Sequence, residues 1–263
     1  MTLPPIMVAP NGARRRRSDH PALPETIPQT VETARACFAA GAGAIHAHVR
    51  DGEGRHVLDA GLYRELMAEL AREVPGMLVQ ITTEAVGRYT PSEQRALVAA
   101  VRPKAVSVAL REMLAEGVTP EVRGFYRDMA GAGVMVQHIL YAPEELDRLG
   151  ALIGAGELPG EEVQLLFVLG DYAMQGGSEP AQLDPFRAAL GRFPVAADWA
   201  VCAFGRGETA CMAEAFRHGG KARVGFENNL LNADGSVAAD NAERVREVAA
   251  LPGCPAGRAA VTG

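Results

Sequence analysis

The amino-acid sequence predicts an α/β protein folded as a single (β/α)8, or TIM, barrel, and three observations carry that expectation. Short runs rich in β-branched and apolar residues begin near Ile6, Ala44, Leu78, Ala105, Val134, Leu165, Val195 and Ala222, eight in all. The stretches between them have helical apolar spacing, so the alternation is βαβα throughout. The 263 residues match the roughly 250 that one such barrel needs, and no Pro/Ser/Gly linker or change of composition divides them. We therefore expect one catalytic domain over residues 1–263, with a loose tail after about Leu251. No GxGxxG follows the first run, which disfavours an open, dinucleotide-binding sheet.

The elements can be justified in order. The first strand leads into a loop holding Arg14, Arg15, Arg16 and Arg17; such a run reads as a solvated loop face or as an anion contact at the barrel mouth. Helical periodicity covers Glu32 to Ala40, then Gly61 to Glu73, Pro91 to Val101, Pro120 to Ala130 and Thr209 to His218. Thr90-Pro91-Ser92-Glu93 and Thr119-Pro120-Glu121 place proline at an early helical position, and Gly41, Gly131 and Gly133 supply helix ends. The final helix, about Ala238 to Ala250, should pack beside the first strand and close the ring.

Composition bounds the function. Hydrophobic residues at 48% and charged residues at 22% exclude disorder and provide a sizeable core. Thirty-two acids against 26 Lys and Arg give a net charge of −6, so nothing suggests a nucleic-acid surface. Without a long apolar run or a basic-then-apolar amino terminus, neither a membrane span nor a signal peptide is expected, and the protein should be cytoplasmic. Cys37, Cys202, Cys211 and Cys254 form no C-x-x-C pair, so reduced, buried thiols are expected.

In a TIM barrel the working residues sit at the carboxyl ends of the strands. On the second strand, His46 and His48 share a face by period-2 alternation. An H-x-H pair can give two nitrogen ligands to one divalent metal, although a lone inward histidine is more often a satisfied core side chain. A catalytic metal needs a third ligand and an open position. The last strand, by the same alternation, puts Arg223, Gly225 and Glu227 on one face, with a structural ion pair as the alternative reading. The third strand ends in Thr82, Thr83 and Glu84, whose hydroxyls can orient a carboxylate or carbonyl but are also ordinary in strands. Ser107 and Gln137 are equally ambiguous, and His138 reads as a core or helix contact.

Three segments then combine: Ala9-Pro10-Asn11-Gly12-Ala13-Arg14, the run Gly41 to Asp51, and Gly219 to Glu227. With Trp199 to Arg206 and Asn241-Ala242-Glu243, the sequence resembles the β-keto acid cleavage enzymes over nearly its whole length. The resemblance implies a TIM barrel, assembled as a homotetramer, with zinc held at His46, His48 and Glu227. It implies the reaction of a β-keto acid with acetyl-CoA to give acetoacetate and an acyl-CoA. The position matching Arg223 would generate or stabilise the acetyl-CoA enolate, Thr82 would contact substrate, and Asn11, Arg14, Thr83, Ser107 and Gly170 would help bind it. The loop from Gly170 to Ser178 could approach the CoA arm, and the Arg14 to Arg17 run the CoA phosphates or the substrate.

Two departures stand out. The family pairs its arginine with an acid following the zinc-binding glutamate, and here that catalytic position is Asn228, which cannot accept a proton. Asp19, Glu84 or Asp171 could replace it. Arg14 stands where the amine-cleaving branch carries an acid, which favours an uncharged or anionic side group. Two readings from other classes compete: a zinc barrel acting as lyase or hydrolase without CoA, and a ligand-binding barrel that has lost turnover.

Overall fold

A computed structural model describes residues 2–171 and 177–255. The order is β1 (Ile6–Val8), α1 (Ile27–Ala39), β2 (Ala44–Ala47), α2 (Ala60–Glu73), β3 (Leu78–Thr82), α3 (Pro91–Val101), β4 (Ala105–Ala109), α4 (Leu110–Met113), α5 (Pro120–Gly131) and β5 (Met135–Leu140). It continues with α6 (Pro143–Gly154), β6 (Val163–Leu169), α7 (Leu183–Leu190), β7 (Ala197–Ala203), α8 (Glu208–Arg217), β8 (Lys221–Val224) and α9 (Asn241–Ala249). The eight strands are the eight expected, and they form a closed parallel barrel. Closure is direct, because Met7 pairs with Ala44 of β2 on one side and with Arg223 of β8 on the other.

Alternation assigns each strand residue to a lumen or a helix-facing side. Outward Ile45, Ile81, Val106, Leu165, Phe167 and Val201 join Leu66, Leu70, Val98, Phe125, Leu149 and Met212 of the helices in one core. Each such fully buried side chain contributes roughly 1.5–3 kcal/mol relative to exposure. Inward Met7, Ala44, Ala105 and Met135 meet Leu3 in a small apolar floor. His46, Thr82 and Arg223 stand towards the carboxyl ends of the strands and line a cavity there, whereas Lys221 and Asp198 pair at the amino ends, beside Leu3.

Helix boundaries follow local chemistry. Thr90 and Glu93 form a capping box at α3, and Thr119 caps α5 by accepting from Val122 N. Helix α1 begins at Ile27, earlier than its apolar spacing shows, because Thr26 and Gln29 make a second capping box. Helix α9 starts at Asn241, where Asp240 accepts from Glu243 N, and it packs on β1 and β8 as expected.

One expectation is corrected at β8, which ends at Val224. Gly225 has φ +142°, and a Cβ there would lie 2.5 Å from Ala9 O, so extended alternation stops at a residue only glycine can occupy. Glu227 thus sits in the turn that follows. All four cysteines are buried and free. Among the described residues no helix is long and apolar enough to cross a membrane. Of the loop from Gly170 to Ser178, Tyr172 to Gly176 lie outside the described residues, as does the chain from residue 256 onward.

Candidate active site and metal centre

His46 projects inward from β2 and His48 follows just beyond its end, their Nε2 atoms 3.1 Å apart. Glu227 brings Oε2 to 3.5 Å from His46 Nε2 and 3.6 Å from His48 Nε2. One ligand atom from each residue lies within 4.8 Å of the others, and all three side chains are buried. Burial, reinforced at His46 by the Arg223 charge, holds both imidazoles well below their usual 6.5, so they stay in the neutral, metal-ligating form. Two imidazole nitrogens and a carboxylate converging on one point match the protein ligand set of a catalytic zinc with an open position.

The backbone around the triad is fixed by its neighbours. Asn11 clamps His48, donating from Nδ2 to its carbonyl at 2.9 Å and accepting its N–H on Oδ1 at 3.3 Å. Gly12, at φ +60°, leaves the space that Glu227 fills, since a Cβ there would sit 2.6 Å from Glu227 Cγ. The turn is tied to the first strand by Glu227 N donating to Ala9 O at 3.0 Å. Arg15 Nη1 adds a bond to Phe226 O at 2.7 Å.

Arg223 is buried beside this cluster, donating from Nη2 to Glu227 Oε1 at 3.2 Å and to Cys202 Sγ at 3.5 Å. Burial alone would lower its pKa, but the Glu227 charge raises it, so the guanidinium is permanently cationic. Its Nε and Nη1 have no hydrogen-bond partner among the described residues. A cavity of about 230 Å³ opens here, walled by Arg14, His46, Thr82, Glu84, Arg111, Tyr141, Gly170, Asp171, Arg223, Glu227 and Asn228. Ala109, Ile139, Val168 and Phe204 give it an apolar side.

The structure therefore brings His46, His48, Glu227, Arg223, Thr82, Asn228, Arg14 and Gly170 to one site. Asn11, Thr83 and Ser107 are off the cavity wall. Asn11 is occupied with His48, Thr83 Oγ1 donates to Ser107 O at 3.0 Å, and Ser107 is buried on β4. The arginine run divides: Arg14 lines the cavity while Arg16 bonds Glu25 Oε1 and Glu53 O, both at 2.8 Å. Of the three acids considered in place of Asn228, Glu84 and Asp171 line the cavity, whereas Asp19 accepts from Arg16 N at 2.6 Å on an exposed loop. Burial, with the charges of Glu227 and Glu112, pushes the Glu84 carboxyl up to about 7.

Sequence reasoning missed His56, Arg111 and Tyr141. His56 is buried against His48, with Nδ1 atoms 3.3 Å apart. Its one sequence signal is the Asp51-Gly52-Glu53-Gly54 turn, which folds the chain back so that Arg50 bridges His56. Arg111 lies over the Tyr141 ring, 4.3 Å from its centroid. His138 faces outward and stacks on Tyr126 of α5 at 5.3 Å, the helix contact expected.

Fold and site together define the class: a TIM-barrel enzyme with a buried His-His-Glu group able to hold a divalent metal beside a buried, cationic arginine. The chain belongs to the β-keto acid cleavage enzyme family, whose sequence profile matches residues 5–254. It is 27% identical over 274 residues to the 3-oxoadipate:acetyl-CoA acetyltransferase of Cupriavidus necator, covering 95% of this chain and 89% of that protein. To the 3-keto-5-aminohexanoate cleavage enzyme of Fusobacterium nucleatum it is 25% identical over 269 residues, covering 94% and 90%. Among solved structures, ObcA bound to oxaloacetate superposes with a TM-score of 0.69 at 17% identity, and the match covers 87% of this chain but only 63% of that one. A type I 3-dehydroquinate dehydratase from Clostridium difficile gives 0.60 at 12% identity, over 94% and 93%. At such identities these two structures attest the barrel alone.

Proposed function

We propose that this protein is a zinc-dependent acyltransferase that cleaves a β-keto acid with acetyl-CoA, yielding acetoacetate and the CoA thioester of the remaining acyl part. The observation that carries the reading is the convergence of His46, His48 and Glu227 within 4.8 Å beside Arg223 at the catalytic end of the barrel. Family membership and the acetyl-CoA acetyltransferase among the relatives support it. Its assembly as a homotetramer rests on the family likeness, and its organisation as one catalytic domain in the cytoplasm rests on the sequence pattern.

Balancing the atoms locates the nucleophile. Acetoacetate must contain C1 and C2 of the keto acid joined to the acetyl group, so the bond formed is from C2 to the acetyl carbonyl and the bond broken is C2–C3. The thiolate released from acetyl-CoA ends on the C3 acyl group. The enolate that Arg223 faces is therefore that of the keto acid, which corrects the acetyl-CoA enolate implied by resemblance. His46, His48 and Glu227 would hold the divalent ion, which would supply Lewis-acid polarisation of a carbonyl.

The chain's own groups do the rest. Arg223 lines the cavity, so its cationic guanidinium can stabilise an oxyanion formed there. Thr82 Oγ1 accepts from Glu84 N at 3.1 Å, which leaves its hydroxyl proton for a substrate oxygen. Asn228 contributes an amide where the family carries an acid, and Glu84, on the same wall, supplies the carboxylate. Arg14 and Arg111 on that wall favour a carboxylate or an uncharged group at the far end of the substrate over an ammonium.

The test is a panel of β-keto acids incubated with metal-loaded protein and acetyl-CoA labelled in its acetyl group. Mass spectrometry should find the label in the acetyl half of acetoacetate together with a new acyl-CoA, and a chelator should stop both. Cleavage without acetyl-CoA would make the protein a lyase or hydrolase. Absence of turnover that Asn228→Asp restores would make it a decayed, ligand-binding barrel.

A further inference from the structure

Both ligand imidazoles send their second ring nitrogen into a hydrogen-bond chain that ends on a backbone carbonyl. From His48, Nδ1 meets His56 Nδ1 at 3.3 Å, and His56 Nε2 reaches Glu84 O at 3.0 Å. From His46, Nδ1 meets Gln80 Oε1 at 2.8 Å, Gln80 Nε2 donates to Gln137 Oε1 at 3.1 Å, and Gln137 Nε2 donates to Leu165 O at 3.4 Å. The second chain crosses the lumen from β2 through β3 and β5 to β6, where β4 contributes only the small Ala105 and Ser107 at that level.

A carbonyl oxygen only accepts, so each chain has one direction. Glu84 O requires the proton of His56 on Nε2. A neutral imidazole has one N–H, so His56 Nδ1 is a lone pair and must accept from His48 Nδ1–H. Leu165 O orients the Gln137 amide in the same way; Gln137 Oε1 orients Gln80, and Gln80 Oε1 accepts from His46 Nδ1–H. We infer that His56 and the Gln80–Gln137 pair are positioning residues that fix both metal-ligating histidines in the Nδ1–H tautomer, so that two bare Nε2 lone pairs face the metal position before any ion arrives. This rests on the metal-site reading above and deepens it.

The consequence is a site that is preorganised and internally repulsive. The Nε2 atoms, 3.1 Å apart, and the carboxylate oxygen 3.5 and 3.6 Å away are three acceptors with no proton among them. A divalent cation relieves that arrangement. All of His46, His48, His56, Gln80 and Gln137 are at most 3% exposed, so solvent does not offer the rings an easy alternative partner.

Long-range 1H–15N spectra of the full-length, metal-free protein read the tautomers directly. They should show His46 and His48 protonated on Nδ1 and His56 on Nε2; a proton on Nε2 of either ligand overturns the inference. Zinc affinity, from chelator competition, gives a second readout. His56→Leu should weaken binding by about 10–100-fold, while His56→Asn, whose Oδ1 can stand where Nδ1 stood, should stay within a few-fold of wild type. Equal affinity of His56→Leu and wild type would overturn it. If His56→Leu fails to fold, the wild-type spectra still decide. Wild-type protein that binds no zinc sinks the metal-site reading and this inference together. Correct tautomers and tight zinc without acyl transfer sink the proposed reaction alone.

Discussion

Arg223 illustrates how much a single side chain is asked to do. Its planar fork bonds Glu227 and Cys202 through one nitrogen while the side chain also lines the cavity. A lysine offers one point charge and cannot reproduce that fork. Arg223→Lys should lower kcat by about 100-fold or more with an unchanged circular dichroism spectrum; full activity would remove Arg223 from the chemistry. His46→Ala and Glu227→Gln should each lose bound metal, measured by elemental analysis, along with activity. His138 tests a different point. Burial depresses it to about 4 against about 6.5 in the unfolded chain, so the unfolded state binds a proton first as pH falls. Its stabilising effect is complete above pH 6.5 and drains away towards pH 4, by about 2 kcal/mol at pH 5. His138→Phe keeps the stacking on Tyr126 and cannot titrate. Urea unfolding at pH 7 and pH 5 should therefore show the variant gaining on wild type at the lower pH. At this scale the sequence revealed His46 and His48, because a strand's period of two puts them together. It concealed His56, since a turn and not a period brings that ring to His48.

The turn after β8 shows where reasoning by element succeeded for an incomplete reason. Arg223 and Glu227 do meet, but the strand ends between them, and what shapes the turn lies far away in sequence. Glu208, at the start of α8, accepts from Gly225 N at 3.3 Å, from Asn229 Nδ2 at 3.1 Å and from Arg244 Nη2 at 2.9 Å. Asn241 of α9 accepts from Phe226 N at 2.9 Å and donates to Pro10 O at 3.2 Å. Both Glu208 and Arg244 are fully buried, and no local pattern announces such a pair, whereas proline and capping signals did announce α3 and α5. Arg244 keeps a second acid, Glu247, when Glu208 is removed, but Gly225 N and Asn229 Nδ2 lose the carboxylate that accepts from them. Glu208→Leu should therefore cost about 1–3 kcal/mol in urea unfolding. A cost below about 1 kcal/mol would mean that the network does not hold the turn. Zinc affinity should fall with the single change, because Glu227 is carried on that turn.

The barrel was the most legible level, because parallel strands buried on both faces leave near-continuous apolar runs at regular spacing. The cavity's charge was the least legible, since it is assembled from loops that only the closed ring brings together. Arg14 follows β1, Arg111 follows β4 and Arg223 lies on β8, and they face Glu84, Asp171 and Glu227 across the mouth. The three arginines are matched by three acids on the same cavity, so substrate choice should be set by which charged group the far end of the keto acid meets, with Arg14 and Arg111 the expected partners. A keto acid whose far end is a carboxylate gains charge-assisted hydrogen bonds there, worth about 1.5–3 kcal/mol each, while an ammonium at the same place is repelled. Arg14→Glu should therefore reduce kcat/KM for a β-keto dicarboxylic acid by about 10–100-fold and raise it for a β-keto acid bearing a distal amine, with zinc content unchanged. The ratio of the two kcat/KM values is the decisive quantity, because a general loss of folding or metal lowers both together. If that ratio does not move, the far end of the substrate does not reach Arg14, and the discrimination must come from Arg111 or from the apolar wall of Ala109, Ile139 and Val168.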